Sequence, residues 1–434
     1  MESEPTEQET EQEAKQETEQ DIDIVVYGAT GFVGVLVARY LAEAAPAGTR
    51  VALAGRSRRK LEATRSRLGE RAADWPLLLA EADDAAALRA LAEGARVVVT
   101  TVGPYAKYGR ALAHACAAAG TDYVDLTGEV LFVRQSIDEN HELARSTGAR
   151  LVHSCGFDSI PSDIGVHLLH ERVRADGAGE LTDTTTVLTA MKGGASGGTI
   201  DSLRHQIDTI RKDRALRRRV LDPYALSPDR AAEPELGRQP DLVLARGAAI
   251  GPNLRGTLAP FVMAPYNTRI VRRSNALRGH AYGRRFRYQE AMRVRPPVLS
   301  PVLAAGVAAG LGVLVAGLAT PPTRYVLDRL LPKPGQGPSE RDRERGHFTF
   351  DIFAITTSGA RYTARFSAKG DPGYKATALM LGESALALAL DRDALPPSGG
   401  GVLTPATALG DALVARLRDA GVRISTRALS PAIT

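Results

Sequence analysis

Only two cysteines, Cys116 and Cys155, occur in 434 residues. Two thiols cannot build a disulfide framework, so the fold must rest on a packed core, and a reducing compartment is expected. Aromatic residues make up 5% of the chain, with a single tryptophan. Stacking surfaces for single-stranded nucleic acid need aromatics, and no nucleic-acid motif appears, so no nucleic-acid partner is expected. No basic, apolar, small-residue leader opens the sequence, which argues against secretion and for a cytoplasmic location. Metal-ligand spacing is missing too. His114/Cys116 and His153/Cys155 form two H-x-C pairs without further ligands, so no metal is expected. Cys155 reads as a buried small residue rather than a nucleophile served by His153.

The first twenty residues lack apolar side chains almost entirely and carry eight glutamates and one lysine. They cannot bury enough surface to offset ordering entropy, so residues 1–20 are expected to be a disordered acidic tail. Removing their charge of −7 from the chain's +5 leaves a body near +12. Such a balance suits acidic partners or an anionic membrane.

What is present is a nucleotide-binding pattern. Ile24-Val25-Val26-Tyr27 is short, apolar and β-branched, as a buried parallel strand is. Gly28, Gly31 and Gly34 follow in the spacing G-x-x-G-x-x-G, and a helical pattern runs on through Leu41. Strand, glycine turn and helix together make a dinucleotide site. Gly28 suits the tight turn, Gly31 the approach to a pyrophosphate, and Gly34 close packing of helix on strand. The next apolar strand, Val51–Ala54, ends in Gly55-Arg56-Ser57-Arg58-Arg59-Lys60. An NAD-specific site would carry a carboxylate there. Arg56 instead can grip a 2′-phosphate through its planar fork, so the cofactor is expected to be NADP(H). Thr101-Val102-Gly103-Pro104-Tyr105 would be the loop after the fourth strand, beside the nicotinamide half.

Strand–helix alternation continues to about residue 165 and predicts a Rossmann-type doubly wound parallel sheet over 21–165. A second α+β domain for substrate or dimerisation is expected over 166–370. Strand-like runs occur at 257–271, 280–289, 347–355 and 361–368. Residues 371–434 read as a helical segment, with a Pro/Gly turn, returning to the Rossmann domain. The longest uncharged stretch lies between Arg295 and Arg324. Rich in Ala and Gly, its helix near 298–319 reads as a buried packing helix, an interfacial helix touching the inner face of the plasma membrane, or a span.

The motifs GATGFVG, AGRS, VGPY, YVDLTGE and SCGFDSIPSD occur in this order in the saccharopine dehydrogenase-like oxidoreductases, and the sequence resembles their trans-acting enoyl reductase branch. GGASGGTIDS, PFVMAPYNTRIVRRSNAL and DPGYKATALMLGESAL resemble it as well, so the likeness covers 21–434. It implies that Gly28, Ala29, Thr30, Gly31, Phe32, Val33 and Gly34 form the phosphate loop, and that Arg56 and Ser57 meet the 2′-phosphate. It also implies that Val102, Gly103, Pro104 and Tyr105 flank the nicotinamide. The substrate implied is an acyl thioester on a carrier domain or CoA, supplied by a polyketide synthase in the making of phthiocerol-type lipids. The likeness brings no catalytic acid with it.

Enoyl reduction needs a hydride at the β-carbon, a proton at the α-carbon and a donor for the enolate oxygen. Tyr105 is the candidate donor, with cofactor packing as the alternative. Asp158 and Ser159 would orient substrate or water, or serve turn and cap chemistry. Glu129 would act in the site, cap a helix or pair with an arginine. Tyr266 and Asn267 are candidates from the second domain. Two basic stretches, 204–219 and 269–287, would dock an acidic carrier domain or form solvated faces. The alternatives to enoyl reduction are reduction of an imine or keto acid, and an NADP-binding membrane-associated scaffold without turnover.

Overall fold

A computed structural model describes residues 22–194, 197–330 and 337–429. The acidic tail expected over 1–20 lies outside the described residues. Two seven-stranded sheets organise the described residues. The first contains β1 (Ile22–Tyr27), β2 (Val51–Gly55), β3 (Leu77–Leu79), β4 (Ala95–Thr100), β5 (Asp122–Val124), β6 (Arg150–Val152) and, from far along the chain, β13 (Gly401–Leu403). Their order is β13-β6-β5-β4-β1-β2-β3, and every pairing is parallel. Both faces are covered, which is why these strands are apolar without alternation. The direction of winding reverses between β1 and β4. Ligands of such sheets bind in the crevice outside the carboxyl ends at that point.

The helices include α1 (Phe32–Ala44), α2 (Arg58–Leu68), α3 (Ala85–Glu93), α4 (Arg110–Ala119), α5 (Val130–Thr147), α6 (Ile160–Ala175), α7 (Gly197–Lys212) and α8 (Arg214–Leu221). They continue with α9 (Ala264–Leu277), α10 (Ser300–Ala319), α11 (Pro321–Leu330), α12 (Thr377–Leu390) and α13 (Gly410–Asp419). The second sheet holds β7 (Leu181–Lys192), β8 (Ala245–Arg246), β9 (Thr257–Pro260), β10 (Arg287–Arg293), β11 (His347–Thr356), β12 (Arg361–Lys369) and β14 (Arg423–Leu429). Its order is β14-β12-β11-β7-β10-β9-β8, antiparallel except for β7 with β10. Helix α6 lies against this sheet: a Cβ on Gly165 would come 2.7 Å from Ile352 Cδ1.

The last segment is shared between the sheets. Helix α12 is buried along nearly its whole length and packs on the first sheet and α1. A Cβ on Gly382 would meet the Tyr40 ring at 2.5 Å. Strand β13 then joins β6, and β14 crosses to pair with β12.

The strand expected over 257–271 stops at Pro260, and Ala264–Leu277 is helix α9 instead. Its helical period is hidden in the sequence because Arg269, Arg272 and Arg273 face inward, at 1–3% exposure. Arg269 donates to Val220 O, Arg272 to Tyr288 O, and Arg273 to Leu226 O at 2.6 Å and Val402 O at 2.7 Å. The stretch 269–287 is therefore not one continuous basic face, since only its later arginines, Arg284, Arg285 and Arg287, are exposed. Three of its arginines fasten backbone carbonyls in the core.

Candidate active site

Gly28 has φ +85°, and a Cβ there would come 2.7 Å from Val102 Cγ2. A Cβ on Gly34 would fall 2.1 Å from Gly28 O. Both positions are sterically closed to any side chain. Gly31 is different. It is exposed, and its nearest neighbour would be Gly28 O at 3.3 Å, so the space beyond it is open. Helix α1 begins there with no acidic residue in its first turn and no capping side chain. Bare N–H groups and the positive helix end make a seat for an anion. The cradle fits a pyrophosphate. Phe32 leaves this turn sideways, edge-on to Tyr374 at 4.9 Å and beneath the Arg343 guanidinium.

At the end of β2, Arg56 is exposed and forms no ion pair among the described residues. Ser57 is the N-cap of α2, but its hydroxyl caps nothing. No acidic residue lies in the first turn of α2. A free guanidinium and a free hydroxyl at this strand end fit a 2′-phosphate.

The loop after β4 runs through Val102-Gly103-Pro104 to Tyr105. Glu129 holds it: its Oε1 accepts from Tyr105 N and its Oε2 from Ala106 N, both at 2.9 Å. Ser202, from α7, donates to the same carboxylate at 2.7 Å. Of the three readings of Glu129, the geometry selects the cap. The Tyr105 side chain is buried. Its hydroxyl donates to Thr100 O at 3.2 Å and accepts from Leu126 N at 3.2 Å. Burial pushes its pKa well above the ordinary value. The catalytic-donor expectation for Tyr105 is therefore corrected: the hydroxyl is spent tying the β4 and β5 loops together.

Beyond β5 and β6 lies a polar knot. Asp125, fully buried, accepts from Ser154 N (2.9 Å), Thr127 N (3.0 Å), Tyr123 OH (3.0 Å) and His153 Nδ1 (2.7 Å). His153 meets Ser136 through its other nitrogen at 2.9 Å, and so does not serve Cys155. Burial raises the Cys155 thiol well above its ordinary value, which makes it inert. Ser154 is one of two non-glycine residues with positive φ among the described residues, at +68°. Such a conformation costs about 1–3 kcal/mol and persists only where its surroundings enforce it. Its hydroxyl donates to Thr127 O at 2.9 Å, so Tyr266 OH must donate to Ser154 Oγ. Asn267 accepts from Ser159 Oγ at 3.1 Å and donates to Glu290 at 3.0 Å. Tyr266, Asn267 and Ser159 thus lock α9 onto the first domain.

Asp158 is the exception. It is partly exposed on the loop after β6, and its carboxylate accepts no hydrogen bond among the described residues. Burial among the surrounding loops pushes its pKa up to about 6. Among the catalytic candidates read from the sequence it alone is uncommitted, and its charge opposes ionisation of the Tyr266 phenol. Asp125 and Ser154 were not among the candidates read from the sequence, and His153 entered there only as half of an H-x-C pair. Their signal was a polar residue directly after an apolar strand, in YVD and LVHS.

The saccharopine dehydrogenase NADP-binding domain matches residues 24–152. A protein of Mycobacterium tuberculosis (strain H37Rv), provisionally named a trans-acting enoyl reductase, is 56% identical over 418 residues, covering 94% of this chain and 98% of its own length. A trans-acting enoyl reductase of Mycobacterium bovis BCG is 51% identical over 419 residues, covering 94% and 99%. The chain belongs to the trans-acting enoyl reductase family. Within this family it is an NADP(H)-dependent oxidoreductase. The saccharopine dehydrogenase (L-Glu forming) of Saccharomyces cerevisiae aligns over 94% of this chain and 100% of its own, with TM-score 0.52 and 13% identity. That likeness shows the shared two-domain fold alone, not a substrate of the enoyl reductase family.

Proposed function

We propose that this protein reduces the carbon–carbon double bond of an acyl thioester carried on a carrier domain or CoA. The chain would be supplied by a polyketide synthase during assembly of a phthiocerol-type lipid. The observation that carries the enoyl-reductase part of this reading is the 56% and 51% identity over nearly the whole of both chains to proteins named trans-acting enoyl reductases. NADPH, when bound, would supply the hydride that reduction at the β-carbon needs. Gly28, Ala29, Thr30, Gly31, Phe32, Val33 and Gly34 hold the pyrophosphate, and Arg56 with Ser57 holds the 2′-phosphate. Val102, Gly103 and Pro104, pinned through Glu129, flank the nicotinamide. Asp158, in its protonated form, gives the proton to the α-carbon. Its lack of competing hydrogen bonds and its raised pKa suit that work. The same reading puts the protein in the cytoplasm with α10 against the inner face of the plasma membrane. The exposure of that apolar helix supports it.

The test is NADPH oxidation by the purified full chain, with a long 2-enoyl thioester on a carrier domain, its CoA counterpart and the saturated thioester. Oxidation should require the double bond. Arg56→Glu should raise the Kd for NADPH by about tenfold or more, since a charge-assisted phosphate contact is worth about 1.5–3 kcal/mol, while leaving NADH unaffected. Oxidation that ignores the double bond, or none with any enoyl thioester, would overturn the reading.

A further inference from the structure

Helix α10 is long and apolar enough to cross a bilayer by length and composition, yet only 11% of its most apolar window is buried. Ala304, Val307, Leu311, Leu314 and Leu318 form a stripe at helical spacing that turns toward the protein. The other faces are open. Val302 is 74% exposed, Val313 71% and Val315 46%. Side chains at Gly306, Gly310 or Gly312 would meet nothing within 4 Å. A partner protein covers one side of a helix. Apolar exposure round most of the circumference calls for a surrounding apolar medium.

Both ends of the helix are tied to the folded body. At its start, Ser300 Oγ accepts from Thr257 N of β9 at 2.7 Å. At its end, Arg211 of α7 donates to Ala319 O, and Arg324 of α11 meets Asp208 of α7 at 2.7 Å. A helix fixed at both ends to one body lies in the interface and does not span. Helix α11 follows directly and carries exposed Tyr325 (60%) and Val326 (54%), with Arg329 over the Tyr325 ring. Tyrosine and arginine are the residues of a headgroup layer.

The charge beside this surface is predominantly positive, since Asp208 is paired with Arg324 and Asp213 caps the start of α8. Lys212, Arg214, Arg217, Arg218 and Arg219 follow the Arg211 anchor along α7 and α8. All five are exposed, and none forms an ion pair among the described residues. Other surface arginines are paired, as Arg110 is with Glu139 and Arg172 with Asp176, or stand singly, as Arg56 does, whereas here five unpaired cations fall within residues 212–219.

We propose that α10 and α11 dip into the outer layer of an anionic phospholipid bilayer, with the free cations of α7 and α8 on its headgroups. The proposal deepens the peripheral location given above and rests on it, not on the chemistry assigned to the cleft. It turns the 204–219 stretch from a carrier-docking face into a lipid-docking one, and would bring the cleft to a substrate whose chain prefers lipid.

Flotation of the full chain with vesicles tests it, using phosphatidylcholine alone or mixed with phosphatidylglycerol. Binding should require the anionic lipid and weaken with salt. Val302→Glu with Val313→Glu, and separately Arg217→Glu with Arg218→Glu and Arg219→Glu, should each weaken it about tenfold or more. In Val313→Trp, emission should shift to the blue on adding anionic vesicles. Equal binding to neutral vesicles, or undiminished binding by either variant, would overturn the proposal. So would a dimer that the double valine variant dissociates in a chain that ignores vesicles, since a second copy would then cover the helix. Turnover of a soluble carrier-linked enoyl thioester, measured without vesicles, separates the two readings. Vesicle binding without turnover sinks only the reductase reading, and turnover without vesicle binding sinks only this one.

Discussion

Gly31→Ala and Gly34→Ala, three residues apart, should fail in different ways. At Gly34 a methyl group would sit 2.1 Å from Gly28 O, 2.8 Å from Gly28 C and 3.0 Å from Ala29 Cα. All three are backbone atoms of the turn, so helix and turn must separate. Overpacking of this kind costs about 1–3 kcal/mol, and more where backbone must move. At Gly31 the backbone is extended, with φ −78° and ψ 164°, which any residue adopts. The one near atom is Gly28 O at 3.3 Å, a gap that a few tenths of an ångström relieves. Alanine there should change stability by less than about 1 kcal/mol, because reduced freedom of the unfolded chain offsets the crowding. Its methyl would occupy the space assigned to the pyrophosphate. Thermal unfolding and NADPH fluorescence titration on both variants read the two effects. Gly34→Ala should lower Tm and weaken NADPH together. Gly31→Ala should keep Tm within a few degrees and still raise the Kd by about tenfold or more, a loss of at least about 1.4 kcal/mol. Wild-type NADPH affinity in Gly31→Ala would refute the placement of the phosphate.

Asp158→Asn should cut kcat by about 10²–10⁴ while leaving NADPH affinity intact, measured by turnover and titration. Because the proton is the active form, wild-type kcat should fall as pH rises above about 6, where burial has moved this carboxyl. Tyr105→Phe should act on stability instead: it strands the half-buried Leu126 N–H and the buried Thr100 O, at about 1–3 kcal/mol, and denaturant unfolding should register it. Asp122 and Asp163 are raised to about 6 and Glu290 to about 7, chiefly by burial. A carboxyl raised in the folded state holds its proton longer than in the unfolded chain. Its contribution is present at low pH and lost as pH rises through the folded value. Tm should therefore fall between pH 6 and pH 8, where the lowered carboxylates are already ionised and His170, held down to about 4 chiefly by burial, is already neutral in the fold, and a scanning calorimetry series checks the sign.

The first domain was legible because its strands are buried on both faces and its turns need glycine. Both constraints leave marks that survive without tertiary context. Gly28 and Gly34 are closed by neighbours the sequence pattern already implied. The second domain was harder to read. Helix α9 hid behind three arginines whose surroundings are carbonyls from distant segments, and charge patterns normally mark a solvated face. Strand β13 has three residues and is specified by pairing with β6 rather than by its own composition. In the cleft, residue types were visible but their commitments were not. Tyr105, Glu129, Ser159, Tyr266 and Asn267 are each consumed by partners distant in sequence, 112 residues away for Tyr266 with Ser154 and 108 for Ser159 with Asn267. Only the fold reveals that Asp158 is left over.

The most direct measurement follows the hydrogen itself. The full chain would be given NADPH deuterated at C4 of the nicotinamide and a carrier-linked 2-enoyl thioester, and the product examined by mass spectrometry and NMR. The account predicts one deuterium at the β-carbon and a solvent-derived proton at the α-carbon. Deuterium on a carbonyl-derived carbon, or none in the acyl chain while NADPH is consumed, would contradict it.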